Sequence, residues 1–239
     1  HCDVIRSVLC TDGPRVILSE KPLTHDIDEA RDVIDACEAA GVTLLVNYLR
    51  RWDTNHRRAR DLIRSGVLGD VIQCTGYYVR GIFHNGCHLV NLLRYLVGPL
   101  GSGHSVLREG QDVQNQCAQL HFEFEGGGSA DLIPLDSRGY AFSIFEVDIF
   151  LTGGRLSIRE DGGRFELART QPHAYASGFQ SLVSECHDFD TNTLPGAMCN
   201  AAEDLAGLLA GELKSIDNQA FEAVGDLDAI SRGLSNRGK

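Results

Sequence analysis

Nowhere in this chain do glycines fall in the G-x-G-x-x-G pattern that turns a strand into a phosphate-cradling helix. The nearest cluster, Gly98 to Gly103, follows a helix-like segment rather than a strand, the wrong context for a dinucleotide loop. Basic residues are also scarce: 22 Lys and Arg stand against 33 Asp and Glu, a net charge of −11. Such a field repels phosphate backbones and anionic bilayers, which argues against a nucleic-acid or membrane-surface binder. No apolar run approaches the length of a membrane span. The eight cysteines are scattered singly, with no C-x-x-C pair, and most sit in apolar periodic segments. Buried free thiols suit a reducing compartment, so a cytoplasmic enzyme is the expected class. Internal repeats and low-complexity tracts are absent. At 239 residues the chain can bury one large core or two small ones.

What is present is most informative at Arg15-Val-Ile-Leu-Ser-Glu-Lys-Pro22. Val16 to Leu18 form a short β-prone run bounded by Gly13-Pro14 and stopped by Pro22, which cannot donate to a ladder. Glu20 and Lys21 are therefore expected at the carboxyl end of a strand, where open α/β sheets place their ligands. A helix follows, with capping spacing at Asp26 and Glu29, an apolar stripe of Ile27, Ala30, Val33, Ile34 and Cys37, and a stop at Gly41. With a second strand from Val42 to Tyr48, residues 15–48 read as one βαβ unit. Cys2 to Cys10 reads as a helix leading into it. The chain starts at His1 rather than Met, and with no phosphate loop it looks like the back end of a longer protein.

Beyond Tyr48 the pattern changes. Thr54 to about Ser65 reads as a helix ended by Gly66, Val71 to Gly81 as a strand, and 86–97 as a helix with Leu89, Leu92, Leu93 and Leu96 on its apolar side. From 104 to 170 the reading is almost all strand, with the 125–128 Glu-Gly-Gly-Gly run as a hairpin turn and further strands at Phe142–Leu151, Arg155–Ile158 and Arg164–Ala168. Two helices are expected at about 178–189 and 201–214, the second opened by an Asn200/Glu203 capping box. The fold class that results is α/β + α+β: the C-terminal remnant of a Rossmann dinucleotide-binding domain (1–48), then an open, mainly antiparallel β-sheet domain with helices on one face (49–222), then a polar, loosely ordered tail (223–239).

A second dense stretch is Gly81-Ile-Phe-His-Asn-Gly-Cys-His-Leu-Val-Asn-Leu-Leu-Arg-Tyr-Leu-Val-Gly98. It gathers His84, Asn85, Cys87, His88 and Asn91 where a strand hands over to a helix. Taken in order with the Glu20-Lys21-Pro22 corner, Asn47-Tyr-Leu-Arg-Arg-Trp52, Ser65-Gly-Val-Leu-Gly-Asp70 and Thr152-Gly-Gly-Arg-Leu156, it resembles the glucose-fructose oxidoreductase / inositol dehydrogenase family of two-domain NAD(P)-dependent oxidoreductases. The resemblance runs from about residue 1 to 215. It implies NAD or NADP as cofactor, and a sugar, polyol or nucleotide sugar as substrate. It also implies a homo-oligomer joined through the C-terminal sheet.

By position, the resemblance implies cofactor contacts from Glu20, Lys21, Pro22, Asn47 and Arg50, and substrate contacts from Lys21, Asn85, His88 and Asn91. It implies catalysis by Lys21 and His88, assisted by His84. The chemistry suits these types: imidazole accepts a hydroxyl proton and an ammonium holds developing negative charge. Two family aspartates are replaced, by His84 and Asn91, so the expected base has an ordinary or lowered pKa. Three rival readings are a metal site at His84, Cys87 and His88, a non-catalytic sugar- or dinucleotide-binding regulator, and an inactive fragment. Arg50, Arg51, Arg57, Arg58, Arg60 and Arg64 read either as a phosphate-contacting island or as a solvated, ion-paired helix face.

Overall fold

The structure, a computed structural model, describes residues 1–11, 13–106, 118–135, 143–185 and 189–236. Its first part is helix α1 (Cys2–Leu9), strand β1 (Val16–Ser19), helix α2 (Ile27–Ala39) and strand β2 (Thr43–Val46). The strands pair in parallel, Val16 opposite Thr43 through Ser19 opposite Val46. Asp26 caps α2 by accepting from the Asp28 and Glu29 backbone N–H groups at 2.9 and 3.0 Å. Glu29 does not close the box on Asp26; its carboxylate takes the Thr24 hydroxyl. Cys2, Ile5, Leu23, Ala30, Val33, Cys37, Leu44 and Val46 form this part's core.

The second part opens with helix α3 (Thr54–Arg64), capped by Asp53 rather than Thr54, then strand β3 (Val71–Tyr78) and helix α4 (Cys87–Leu96). Strands β4 (Leu100–Val106), β5 (Gln119–Phe124), β6 (Ser129–Pro134), β7 (Glu146–Leu151), β8 (Gly154–Arg159), β9 (Arg164–Pro172) and β10 (Gln180–Glu185) follow. They join β3 in one open eight-stranded sheet of order β10-β9-β8-β7-β3-β6-β5-β4. Every pairing in it is antiparallel except β3 with β6. Period-two alternation sets the faces: Leu120, Phe122 and Phe124 of β5 and Val147, Ile149 and Leu151 of β7 are buried against Leu89, Leu92, Leu93 and Leu96 of α4. Each large side chain removed from water in this way contributes about 1.5–3 kcal/mol.

Two expectations need correction. Of the segment expected as a helix at about 178–189, Gln180–Glu185 is strand β10, which runs antiparallel to β9, Gln180 opposite Pro172 through Glu185 opposite Leu167, and 186–188 lie outside the described residues. Leu182 and Val183 are 45% and 40% exposed, so no apolar stripe was there to dock a helix, and a free sheet edge took the segment instead. The residues beyond 222 are not a loose tail. They belong to helix α6 (Ala220–Ser235), which buries Ala220, Ala223, Leu227 and Ile230 and packs against both parts of the molecule. Gly225 and Gly233, which weaken a helix in isolation, are close approaches here: a Cβ on Gly225 would lie 2.6 Å from the Arg94 guanidinium, and one on Gly233 3.2 Å from Leu120. Helix α5 (Ala197–Ala210) starts before the expected capping box, and Asn200 instead donates to the Trp52 carbonyl at 2.8 Å.

The arginine island is tertiary glue, and apart from Asp61, which pairs with neighbouring Arg60, its acids come from far along the chain. Arg57 pairs with Asp204 and Arg60 with Asp217, Arg64 donates to the Tyr95 carbonyl at 2.7 Å, and Arg58 lies over the Phe189 ring. Of the cysteines, Cys2, Cys37, Cys74 and Cys87 are buried and Cys10 and Cys199 exposed; Cys117 and Cys186 lie outside the described residues. Among the described residues, no helix is long and apolar enough to cross a membrane.

Candidate active site

Parallel β1 and β2 end side by side, so the residues after them emerge at one sheet end. The Asn47 backbone N–H donates to the Ser19 carbonyl at 2.7 Å, and its side-chain amide donates to Glu20 Oε1 at 2.8 Å. Trp52 Nε1 donates to Asn47 Oδ1 at 3.2 Å, which fixes the amide's orientation. Lys21, joined to Pro22 by a cis peptide bond, donates from Nζ to the His84 carbonyl at 3.0 Å. That hydrogen bond ties the first part's corner to the second part's helix entry.

The entry is unusual. Arg80 and Gly81 both have positive φ (62° and 85°), and Ile82–Gly86 form a π-helical turn before α4. Such turns are enriched at functional sites. The turn carries exposed His84 and half-buried Asn85, and delivers half-buried His88 to the first turn of α4. The Tyr48 and Phe145 rings meet His88 edge-on, at centroid distances of 6.0 and 6.4 Å. The Arg50 guanidinium lies over the Phe145 ring, 3.5 Å from its centroid, and donates to the Asp161 carbonyl at 2.6 Å. Gly162, at φ 96°, supplies the gap for it: a Cβ there would sit 2.7 Å from Arg50 Nε.

Burial, then the charges of Lys21, Arg50 and His84, push the His88 pKa down to about 3. Burial followed by Lys21 and Arg80 lowers that of His84. Burial also brings Arg50 down to about 10. His88 is therefore a neutral imidazole throughout the physiological range, in the direction the loss of the two aspartates leads one to expect. Cys87 is no metal ligand in this arrangement: its thiol is pushed up to about 11 by burial and faces the Phe83 and His84 carbonyls at 3.1 and 3.4 Å. Among the described residues, no group of three or more His, Cys, Asp or Glu is placed to hold a metal ion.

The lowered histidine has a consequence for stability. As pH falls below 6.5 the unfolded chain takes up a proton that folded His88 refuses until about pH 3, so stability is lost across that window. Fully buried His56, whose ring meets Asp53 at 2.6 Å and whose pKa burial also lowers, acts with the same sign. Lowering the pH to about 4.5 costs about 2–3 kcal/mol through His88 alone. Chemical denaturation of His88→Gln should show a shallower decline between neutrality and that pH; an unchanged decline would refute the assignment of the shift.

Of the expected site residues, Glu20, Lys21, Pro22, Asn47, Arg50, His84, Asn85 and His88 fall around one corner. Asn91 does not belong to it. Its side chain is 2% exposed, accepts from Arg51 Nε at 2.9 Å and donates to Asp226 at 2.6 Å, leaving nothing for a substrate. Tyr48, Phe145, Arg80 and the Glu160–Gly162 turn were missed; only the two adjacent glycines at 162–163 signalled the last. For a dinucleotide, the corner fits the nicotinamide end, with an amide, a carboxylate and an ammonium held at the carboxyl ends of two parallel strands. It includes no glycine-rich strand-to-helix turn for the pyrophosphate.

No protein-family model matches the sequence. Among curated proteins, it is 38% identical over 78 residues to D-xylose 1-dehydrogenase (NADP(+)) 2 of Haloferax volcanii, covering 33% of this chain and 23% of that one. It is 31% identical over 170 residues to 2,7-anhydro-N-acetylneuraminate hydratase of Escherichia coli, covering 61% and 45%. The chain thus spans less than half the length of either relative. The structure matches that of an inositol dehydrogenase homologue from Azotobacter vinelandii complexed with NADH and myo-inositol, with a TM-score of 0.73 at 14% identity over 98% of this chain and 72% of that one. That likeness shows a shared fold.

Proposed function

We propose that this chain belongs to the glucose-fructose oxidoreductase / inositol dehydrogenase family and serves an NAD(P)-dependent oxidoreductase acting on a sugar or polyol CH–OH group. The observation that supports this reading is the docking of Lys21 on the turn that leads into His88. Lys21 is bound to the carbonyl one turn before His88, its charge acts on the imidazole, and the ring is left partly open. The Lys21 ammonium would polarise the reacting oxygen and hold the charge that develops on it. The neutral His88 would take the hydroxyl proton in oxidation and return it in reduction. A bound nicotinamide supplies the hydride acceptor. Glu20 and Asn47 would orient its ribose, and Arg50 and Phe145 would wall the cleft beside His88. His84 would act through the backbone carbonyl that anchors Lys21. The polar face of the eight-stranded sheet, opposite the helices, would join copies of the chain.

The test is absorbance at 340 nm with NAD⁺ or NADP⁺ and a panel of sugars and polyols, on this chain and on the whole gene product that contains it. Reduction of either cofactor by any member supports the reading. Ligand binding without reduction across the panel favours a regulator instead.

A further inference from the structure

Five basic groups surround the entrance to this corner in a chain whose acids outnumber its bases 33 to 22. Lys21 is hydrogen-bonded to the His84 carbonyl, and Arg50 and His88 share the Phe145 ring. Arg80 projects from a left-handed backbone position two residues before Ile82, where the π turn starts; it is exposed and, among the described residues, makes no hydrogen bond or ion pair. The charged groups acting on the two imidazoles are Lys21, Arg50 and His84 for one, and Lys21 and Arg80 for the other; among the described residues no carboxylate joins them. Glu20, the nearest acid in sequence, is engaged by the Asn47 amide. Asp161 and Asp53 act on Arg50, so the positive charges a neutral polyol would leave uncompensated are the Lys21 ammonium at the His84 carbonyl and the exposed Arg80 guanidinium.

Resting on the oxidoreductase reading, we propose that the substrate is an anionic sugar or polyol, whose carboxylate or phosphate ester sits between Arg80 and the Lys21–His84 pair while its reacting hydroxyl faces His88. Arg80 then acts as a specificity determinant, presenting a planar fork suited to either oxyanion. The substrate's charge also completes the base: an anion beside His88 opposes the surrounding cations and raises its basicity, so an anionic substrate is better bound and better deprotonated. Ionic attraction of this kind weakens with salt.

Calorimetric titration with a hexose, the matching hexuronate and the hexose 6-phosphate, at low and high sodium chloride, tests this. Cofactor reduction is followed in parallel in the whole gene product. At least one anion should bind at least tenfold more tightly than the hexose, with a ratio that shrinks at high salt and falls severalfold in Arg80→Gln. A larger ratio for the hexuronate identifies a carboxylate, and a larger ratio for the phosphate identifies a phosphate ester. Equal binding or oxidation of all three overturns the charge inference and leaves the oxidoreductase reading standing. Failure of all three to bind, with no reduction of NAD⁺ or NADP⁺ by any panel member, overturns both.

Discussion

Replacing Lys21 with Met, or His88 with Asn, should each lower hydride transfer by a factor of about 10²–10⁴ while leaving the protein folded at neutral pH. The two losses should differ in kind. In the proposed mechanism Lys21 would hold charge that exists fully only in the transition state, so its removal should fall mainly on kcat. In the proposed mechanism His88 would be the group that titrates, so its removal should also flatten the acid limb of the pH–rate profile of kcat/KM. That limb should lie below neutrality, because burial and the charges of Lys21 and Arg50 hold the imidazole deprotonated. Folding should be preserved because neither side chain is a structural keystone. Among the described residues, Lys21 donates to one carbonyl and the His88 ring meets two edge-on aromatics. Stopped-flow measurement at 340 nm with thermal unfolding of the same variants checks both halves. A loss below threefold for either variant would remove that residue from the chemistry.

The corner was legible because its punctuation is local and strong. Pro14 and Pro22 bracket β1, Asp26 caps α2, and Gly41 ends it at φ 68°, so the βαβ path and the emergence of Lys21 follow from short-range rules. β5 was legible for the same reason: Leu120, Phe122 and Phe124 alternate strictly with polar residues. His88 was singled out by its place in a family-like order of motifs, and its spacing alone would not have chosen it over His84. What stayed hidden depends on residues distant in sequence. Asn91 looked like a substrate contact because its partners, Arg51 and Asp226, lie 40 and 135 residues away. β10 carries a pattern compatible with either period, and the sheet edge decided between them. Helix α6 was obscured by the very glycines that let it approach Arg94 and Leu120.

That helix sets the second large effect: Asp226→Ala should destabilise the fold by about 3–5 kcal/mol. Asp226 is 1% exposed, takes Arg94 at 2.7 Å and Asn91 at 2.6 Å, and through Asn91 is linked to Arg51, which itself pairs with Glu222. The network thus bolts α6 to α4 and to the turn after β2. Truncating Asp226 leaves the Arg94 guanidinium and the Asn91 amide without their acceptor in a site water reaches poorly. Asp226→Asn should cost clearly less than Ala. Burial already pushes this carboxyl's pKa up, so the ion pays a desolvation penalty that the amide avoids while keeping an acceptor for Asn91. A double replacement, Asp226→Leu with Arg94→Leu, should cost less than the sum of its singles, since no lone charge remains buried. Urea titration should show these costs as midpoint shifts at constant slope. A loss under about 1 kcal/mol for Asp226→Ala would mean that the network does not hold the helix. In the whole gene product the same substitution should also lower hydride transfer severalfold, because Asn91 and His88 stand three residues apart on α4 and a loosened Asn91 frees the turn that carries the imidazole.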